Sequence, residues 1–394
     1  MNTVTGRSLE RRLLTTGLGA LAVVGIVSGC GGHPTRSSAK DPRTRSASRS
    51  TPFTSTSWTR RSKHASLIVR FNPLSFTAIS GHEYWLLGTF RCASGSCWTI
   101  LHTTDGGGRF DRIAAPPLPT SGTVPTLRFA NRRDGFAFVD GLLYVTHDGG
   151  ANWKRLSLGT VLAFATADGT VYLVTATCTL SACDDYRFKR SPVFANHWTT
   201  ASTPFGSARS VVALAAHGST IWLLGTVRTN QRRERDILAR SSDGGRTFVT
   251  SSGPCIPGLG GDLEPTSDRV LWAVCATGLL AGAWRSTNGG VSFAPLKTHG
   301  LANSARLAPA SGTAAVLAPN GAGAPLLRTT DGGSTWRPVP GSAKVSDWLF
   351  IGFTDARVGA AIVQIGNAQI NSLWRTTDGG ASWSELRLKV PNRE

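Results

Sequence analysis

Five arginines recur at one fixed place relative to a repeated octapeptide. They are Arg190, Arg240, Arg285, Arg328 and Arg375, and each immediately precedes one copy. Guanidinium groups at regular spacing could form a cationic belt for an acidic partner. Alternatively, each stem packs on a neighbouring repeat while its guanidinium bonds carbonyls or a repeat carboxylate. The strict coupling of these arginines to the repeat favours the second interpretation.

Six of the seven cysteines can be grouped by their spacing. The groups are Cys92 with Cys97, Cys178 with Cys183, and Cys255 with Cys275. Disulfides within these groups are only one of many possible connectivities, and an even number of cysteines suits an oxidising compartment. Zinc is the alternative, but the two closely spaced groups are not Cys-x-x-Cys and have no histidine nearby. We expect no metal and no cofactor.

The octapeptide, called a box below, is the strongest pattern in the chain. It reads Ser or Thr, any residue, Asp or Asn, Gly, Gly, two further residues, and Trp or Phe. Six copies begin at residues 103, 146, 241, 286, 329 and 376, and a degenerate seventh begins at Ser191. The third-position residues are Asp105, Asp148, Asp243, Asn288, Asp331 and Asp378. The closing aromatics are Phe110, Trp153, Trp198, Phe248, Phe293, Trp336 and Trp383.

The composition of the box is typical of a tight hairpin. Asp-Gly and Gly-Gly supply the positive φ angles that such a turn needs, and the carboxylate can accept hydrogen bonds from loop amides. The closing aromatic can cover the loop and fill the gap against a neighbouring sheet. Asn288 keeps this geometry without the charge. We therefore expect the box residues to be structural.

Each unit of about 45 residues contains four short apolar segments with strand character. Seven such units predict an all-β fold, a seven-bladed β-propeller of four-stranded antiparallel blades. Residues 64–73 are expected to complete the sheet of the last blade and close the ring.

First strands line the axis of a propeller, so Glu264, near the start of the fifth unit, is a candidate ligand contact.

The box resembles the Asp-box, or BNR repeat, of sialidases and of Ycf48-type photosystem II assembly factors. Sortilin-type receptors and xyloglucan hydrolases share it. The resemblance covers about residues 64–390 and implies propeller architecture, with the boxes on outer hairpins away from an axial ligand site. It says little about function.

A sialidase-like enzyme would need a Tyr–Glu nucleophile pair, an acid/base Asp and three arginines that hold a substrate carboxylate. The nearest candidate for the first arginine motif, Val69–Pro73, does not match the sialidase pattern. Only four tyrosines are present, and residues 64–394 contain only five glutamates. No catalytic residue is assigned.

The N-terminus is typical of an export signal. Arg7, Arg11 and Arg12 precede an apolar run, and Val27–Cys30 resembles the bacterial lipobox. The resemblance implies a signal peptide at 1–29 and a diacylglyceryl group on Cys30. An ordinary signal peptide with a chance cysteine, or an uncleaved anchor, is the alternative, and export by the Sec or the twin-arginine route stays open.

Residues 30–63 are rich in Ser, Thr and Arg and poor in aliphatic side chains, which predicts a disordered tether. The tether contributes +7 and the signal +2 to the net charge of +19. A basic tether would lie against anionic headgroups, or it is merely a soluble spacer. Because part of the positive charge belongs to the signal and the tether and not to the propeller, nucleic acid is not an expected partner.

Together these features predict a membrane protein held by a lipid anchor, with a monomeric propeller at 64–394 outside the membrane. Its expected role is to bind or scaffold an unidentified envelope protein. The alternative is a glycan-binding or glycoside-hydrolysing protein.

Overall fold

The computed structural model describes residues 71–388 apart from 94, 120–121, 180–182, 206–207, 229–232, 299–300, 303–304, 320–322 and 369. The predicted signal peptide, Cys30 and the tether lie outside the described residues.

The described chain forms seven four-stranded antiparallel sheets, in each of which the strands pair in sequence order. This confirms the predicted seven-bladed propeller. Blade one contains β1 (Asn72–Ala78), β2 (Tyr84–Cys92), β3 (Gly95–Thr103) and β4 (Asp111–Ala114). Blade two contains β5 (Thr126–Phe129), β6 (Gly135–Val139), β7 (Leu142–Thr146) and β8 (Lys154–Leu156). Blade three contains β9 (Thr160–Ala167), β10 (Thr170–Cys178), β11 (Cys183–Pro192) and β12 (Thr199–Ser202).

The remaining blades follow the same plan. Blade four contains β13 (Ala208–His217), β14 (Thr220–Arg228), β15 (Glu234–Ser241) and β16 (Val249–Ser252). Blade five contains β17 (Gly261–Pro265), β18 (Leu271–Ala276), β19 (Ala281–Ser286) and β20 (Ala294–Pro295). Blade six contains β21 (Arg306–Pro309), β22 (Ala315–Ala318), β23 (Leu327–Thr329) and β24 (Arg337–Pro338). Blade seven contains β25 (Val345–Phe353), β26 (Gly359–Ile365), β27 (Ser372–Thr376) and β28 (Ser384–Glu385).

Helical structure is confined to one short 3₁₀ segment, Ser342–Lys344, in the part of the chain that the structure describes. No helix there has the length and apolar character needed to cross a bilayer.

The first strand of each blade is the inner one, since first strands contact those of neighbouring blades. Hydrogen bonds tie the inner strands together: Ser75 Oγ accepts from the Leu127 amide at 2.9 Å, and Thr77 Oγ1 accepts from the Phe129 amide at 3.1 Å. These bonds join blade one to blade two close to the axis.

The hydrophobic core is divided into seven clusters, and each lies between two neighbouring blades. Four tryptophans, Trp85, Trp222, Trp272 and Trp348, are fully buried in this way. Burial of such large apolar surfaces is the main stabilising contribution available to packed sheets. The ring is thus held by repeated sheet-on-sheet packing.

The ring closes without strand exchange, so the expectation that residues 64–73 complete the last blade is wrong for the described part of that segment. Residues 72 and 73 belong to β1 and pair with β2 of blade one, while blade seven takes all four strands from 345–385. Closure instead uses the Asn371 backbone amide, which donates to Asn72 Oδ1 at 2.8 Å, and Asn371 Nδ2, which donates to the Pro73 carbonyl at 3.0 Å.

Because consecutive strands are antiparallel, the turns of every blade alternate between two faces of the ring. The turns between first and second strands lie with the boxes on what we call the box face; for example, the Gly244 amide donates to the Ser219 carbonyl at 3.0 Å. The turns between second and third strands lie with the inter-blade connections on the opposite side, which we call the connection face.

Candidate functional site

Each of the six regular boxes is a closed network of hydrogen bonds. In the box that begins at Thr329, the hydroxyl donates to Asp331 Oδ1 at 2.7 Å and accepts from the Gly333 amide at 3.0 Å. The carboxylate also accepts from the Thr335 amide and hydroxyl. Asn288 makes the same bonds through its amide oxygen, which accepts from the Ser286 hydroxyl at 2.8 Å.

These hydrogen bonds favour the ionised carboxylate. The backbone and side-chain amides of Asn152, followed by the Thr146 hydroxyl, lower the pKa of Asp148 to about 2. The pKa values of the other box aspartates, Asp105, Asp243, Asp331 and Asp378, are also lowered. A strongly acidic group that is already saturated with donors is poorly suited to general acid catalysis.

The box also attaches each blade to the preceding one. Phe248 packs into the cluster between blades three and four, and Trp383 packs into the cluster between blades six and seven. The second glycine has φ of 80° at Gly245, where an added Cβ would lie 2.2 Å from the Phe188 ring of blade three. Glycine is therefore required by both backbone conformation and close packing.

The five arginines that precede boxes reach to the following blade. Arg328 Nε donates to the Gly379 carbonyl at 2.8 Å, and Arg375 donates to the carbonyls of Gly106 and Gly81 at 3.1 and 2.8 Å. The other three make comparable bonds: Arg190 to Gly244, Arg240 to Asp268 and Arg285 to Gly312. The guanidiniums are therefore engaged in inter-blade contacts.

Blades one and two lack this arginine and use other polar groups at their junctions. Between blades one and two, buried Glu83 accepts from Arg132 Nε at 2.7 Å and lies 3.3 Å from His102 Nε2. Between blades two and three, His147 Nδ1 lies 2.7 Å from Asp134 Oδ1, and its Nε2 lies 3.2 Å from Asn196 Nδ2. His102 occupies the arginine position immediately before its box, whereas His147 is the second residue of its box.

Glu264 lies on the inner strand β17, as the sequence suggests, and faces the buried cation Arg128 on β5. Burial lowers the pKa of Arg128 to about 10, and the negative charge of Glu264 opposes this effect. Because blades two and five lie on different sides of a seven-membered ring, the two charges interact across the axis. A second buried cation, Arg306, donates through Nε to the Trp348 carbonyl at 2.6 Å.

Sequence reasoning identified Glu264 but missed Arg128 and Arg306. Both arginines lie in short apolar segments, and only the closed ring brings them to the axis. Among the described residues, no set of three or more His, Cys, Asp or Glu side chains converges to hold a metal ion.

The structure contains the three disulfides that cysteine spacing suggested: Cys92–Cys97, Cys178–Cys183 and Cys255–Cys275. All three lie on the connection face. The first two close turns between second and third strands, whereas the third joins the connection after blade four to β18 of blade five.

Beside the third disulfide lies an exposed apolar surface, called the leucine patch below. Its members and exposed fractions are Ile256 (46%), Leu259 (46%), Leu279 (93%) and Leu280 (55%). The two contributing segments are adjacent because the Ala276 amide donates to the Gly260 carbonyl at 3.2 Å. Large side chains exposed together mark an interaction surface more often than isolated ones do.

The leucine patch is bordered by a basic turn of blade four. Arg228, Arg233 and Arg235 are exposed there, and Glu234 of the same turn lies close to Gly258 in the patch connection. The site therefore combines apolar surface with a cationic border, which suits a partner surface that is apolar and acidic.

The fold and these junctions define the class: the chain is a seven-bladed β-propeller. Neither a protein-family model nor a curated protein matches it. Among solved structures, it is similar to YCF48 from Cyanidioschyzon merolae, with 16% identity over 79% of this chain and 97% of that chain and a TM-score of 0.51. A Mycobacterium tuberculosis puromycin-hydrolyzing peptidase shares 14% identity over 82% of this chain and 55% of that chain, with a TM-score of 0.53. BP39L lectin from Burkholderia pseudomallei shares 12% identity over 81% of this chain and 99% of that chain, with a TM-score of 0.51.

These similarities concern the fold alone, because the identities are low and proteins of different activity share the same ring. Any function has to be argued from the surfaces of this chain.

Proposed function

We propose that the protein is a lipid-anchored extracytoplasmic propeller that binds an envelope protein through its connection face. The leucine patch, beside the Cys255–Cys275 disulfide and the basic turn at Arg233, is the observation that carries the proposal. The proposed partner surface is apolar with acidic groups around it. Its side chains would bury the leucines and pair with the arginines.

The three disulfides support the extracytoplasmic part of this proposal, since disulfides persist mainly in oxidising compartments. The lipid anchor rests on the lipobox-like sequence that ends at Cys30, which lies outside the described residues. An acyl-anchored protein would present a binding ring close to the membrane surface.

The chemistry of the tyrosines favours binding over sialidase-like catalysis. Burial raises the pKa of Tyr84, and it also raises that of Tyr172, which opposes formation of a nucleophilic phenolate. Tyr144 donates its hydroxyl to the Pro117 carbonyl at 3.0 Å. These phenols contribute to junctions between blades.

The anchor is tested with Cys30→Ala expressed in the native host. We expect the variant to leave the membrane fraction or to accumulate as uncleaved precursor, because no diacylglyceryl group can be attached. Fractionation and mass spectrometry of the mature N-terminus provide the readout. Unchanged membrane retention with a mature N-terminus would refute lipidation.

The binding face is tested by comparing Leu279→Asp with Val291→Asp. Both residues are exposed in blade five, at 93% and 67%, but Val291 lies in a box on the opposite face. We expect partner copurification to be lost with the first variant and retained with the second, at equal thermal stability. Equal copurification with both variants would exclude the leucine patch as the docking site.

A further inference from the structure

A cleft of about 500 Å³ opens on the box face between blades three and four. Its charged and aromatic lining residues are Asp168, Tyr172, Arg190, His197, Asp243 and Arg246. The volume falls within the ~300–1,000 Å³ range of small-molecule sites. This cleft is on the opposite side of the ring from the leucine patch, so its function is independent of the proposed protein partner.

The cleft exists because the first turns of blades three and four are short. Only Asp168 and Gly169 separate β9 from β10, and only Gly218 and Ser219 separate β13 from β14. In the other five blades the equivalent turn has five residues. The longer turns cover the inter-blade junction, whereas the turn of blade four leaves it open.

The residue paired with the arginine before the box differs between blades. Tyr172 pairs with Arg190 across β10 and β11, at the register position that Trp222 and Trp272 occupy in blades four and five and Val316 and Ala360 occupy in blades six and seven. The box of blade three is the degenerate copy, in which Ser191 Oγ donates to the Ala195 carbonyl at 2.8 Å instead of to an aspartate. Sequence changes in two neighbouring blades therefore converge on this cleft.

The short turn changes the hydrogen bonding of Arg190. At three of the four other junctions the longer turn supplies a carbonyl to the arginine: Asp268 to Arg240, Gly312 to Arg285 and Gly81 to Arg375. Arg328 bonds instead to the box carbonyl of Gly379. Arg190 keeps only the box carbonyl of Gly244, at 2.7 Å, and the Thr199 hydroxyl, at 3.2 Å. A ligand oxygen can take the place of the turn carbonyl.

The remaining lining groups determine the chemical class of that ligand. Arg190 and Arg246 are balanced by Asp168 and Asp243, so the cleft has no excess of positive charge for an anion. The Asp243 carboxylate is already bonded within its own box, which leaves exposed Asp168 as the available acceptor. Hydroxyl groups complete the lining, at Thr170, Thr199, Ser219 and Ser242.

We propose that this cleft binds a neutral saccharide. A sugar hydroxyl can both donate and accept a hydrogen bond. A single sugar unit could therefore accept a hydrogen bond from Arg190 and donate one to Asp168. The exposed ring of His197 offers an apolar face beside these polar groups.

The proposal is tested by saturation-transfer NMR of the intact mature protein with mono- and disaccharides of glucose, galactose, mannose and N-acetylglucosamine. Three variants are compared with the wild type: Arg190→Gln, Asp168→Asn and Asp140→Asn. Asp140 is the matched control, because Asp140 and Asp168 have φ of 47° and 48° in the same kind of Asp-Gly turn, but Asp140 lies on the connection face. Asn tolerates this backbone conformation, so both Asn variants should fold normally.

We expect at least one neutral sugar to bind the wild type and Asp140→Asn alike. Its affinity should fall at least about tenfold in Asp168→Asn and in Arg190→Gln, as expected for loss of a hydrogen bond to a charged group. The proposal is overturned if no neutral sugar binds, or if affinity is the same in all variants. It is also overturned if only uronic or sialic acids bind, with an affinity that falls steeply with salt.

Discussion

The serine or threonine that opens each of the six regular boxes donates one hydrogen bond and accepts others at the same time. Thr329 is almost fully buried and connects the Asp331 carboxylate to two backbone amides, those of Asp331 and Gly333. Removing the hydroxyl would leave the buried Gly333 amide without its partner. The stability of the box hairpin therefore depends on this one oxygen atom.

We predict that Thr329→Val destabilises the protein by about 1–3 kcal/mol, because it removes the hydroxyl and leaves buried donors unsatisfied. Denaturant unfolding monitored by tryptophan fluorescence measures the change. Thr330→Val is the matched control, since Thr330 is the exposed second residue of the same box. Equal stability of the two variants would show that the opening hydroxyl contributes little.

At the scale of an element, the connection after blade four is held by Asp236 of blade four and by the disulfide to Cys275 of blade five. The Cys255 amide donates to Asp236 Oδ2 at 3.0 Å, and the Gly253 amide donates to the Asp236 carbonyl at 2.9 Å. Burial raises the pKa of Asp236 to about 7, although the Cys255 hydrogen bond opposes the shift. This element carries Ile256 and Leu259 of the leucine patch, so its stability bears on partner binding.

The raised pKa of Asp236 predicts a pH dependence of stability. The unfolded carboxyl has a pKa of about 3.9, so the folded state binds its proton more tightly than the unfolded state. This contribution to stability is complete below about pH 4, is lost as pH rises to about 7, and is constant above that. The full change is at most about 4 kcal/mol.

We therefore expect Asp236→Asn to remove this decline and to be more stable than the wild type at pH 8. Unfolding free energies measured from pH 4 to pH 8 provide the test. Asp184→Asn, an exposed aspartate on the equivalent third strand of blade three, should keep the wild-type slope. Parallel curves for the wild type and Asp236→Asn would contradict the assignment.

The predictable features of this protein are those that repeat. The box recurs with nearly constant spacing, so its hairpins and the number of blades follow from the sequence. Arg128 and Glu264 meet across the axis only because the ring is closed, and no local pattern contains that information. The cleft beside Arg190 was not predicted for a related reason. It results from the short first turns of blades three and four, and a search for repeated residues does not detect a shortened turn.

At the scale of the whole molecule, ring closure depends on side-chain hydrogen bonds and packing between blades seven and one. Arg375 bonds to two carbonyls of blade one, and Asn371 bonds to Asn72 and Pro73. The cluster at this junction packs Phe76 and Leu101 against Ile362. Within residues 71–388, as far as the structure describes them, neither blade supplies a strand to the other, so this junction resembles the six others.

We predict that Arg375→Gln destabilises the propeller by about 1–3 kcal/mol, through loss of charged hydrogen bonds to carbonyls. Hydrogen exchange should accelerate first in β1, β2 and β27, which flank the closure. Arg155→Gln, an exposed arginine of blade two, is the control and should exchange like the wild type. Uniform acceleration of hydrogen exchange in all blades would indicate that the junction of blades seven and one makes no distinct contribution to stability.

Docking of a protein on the connection face is the proposal on which the function depends, and site-specific photocrosslinking in the native host tests it. A photoreactive phenylalanine analogue is placed at position 279 or, as the control, at position 291 on the box face of the same blade. We expect one dominant protein adduct from position 279 that is absent from position 291, with the crosslinked peptide rich in apolar and acidic residues. The adduct should weaken when Arg235→Glu is added. Lipid adducts alone, no adduct, or the same adducts from both positions would contradict it.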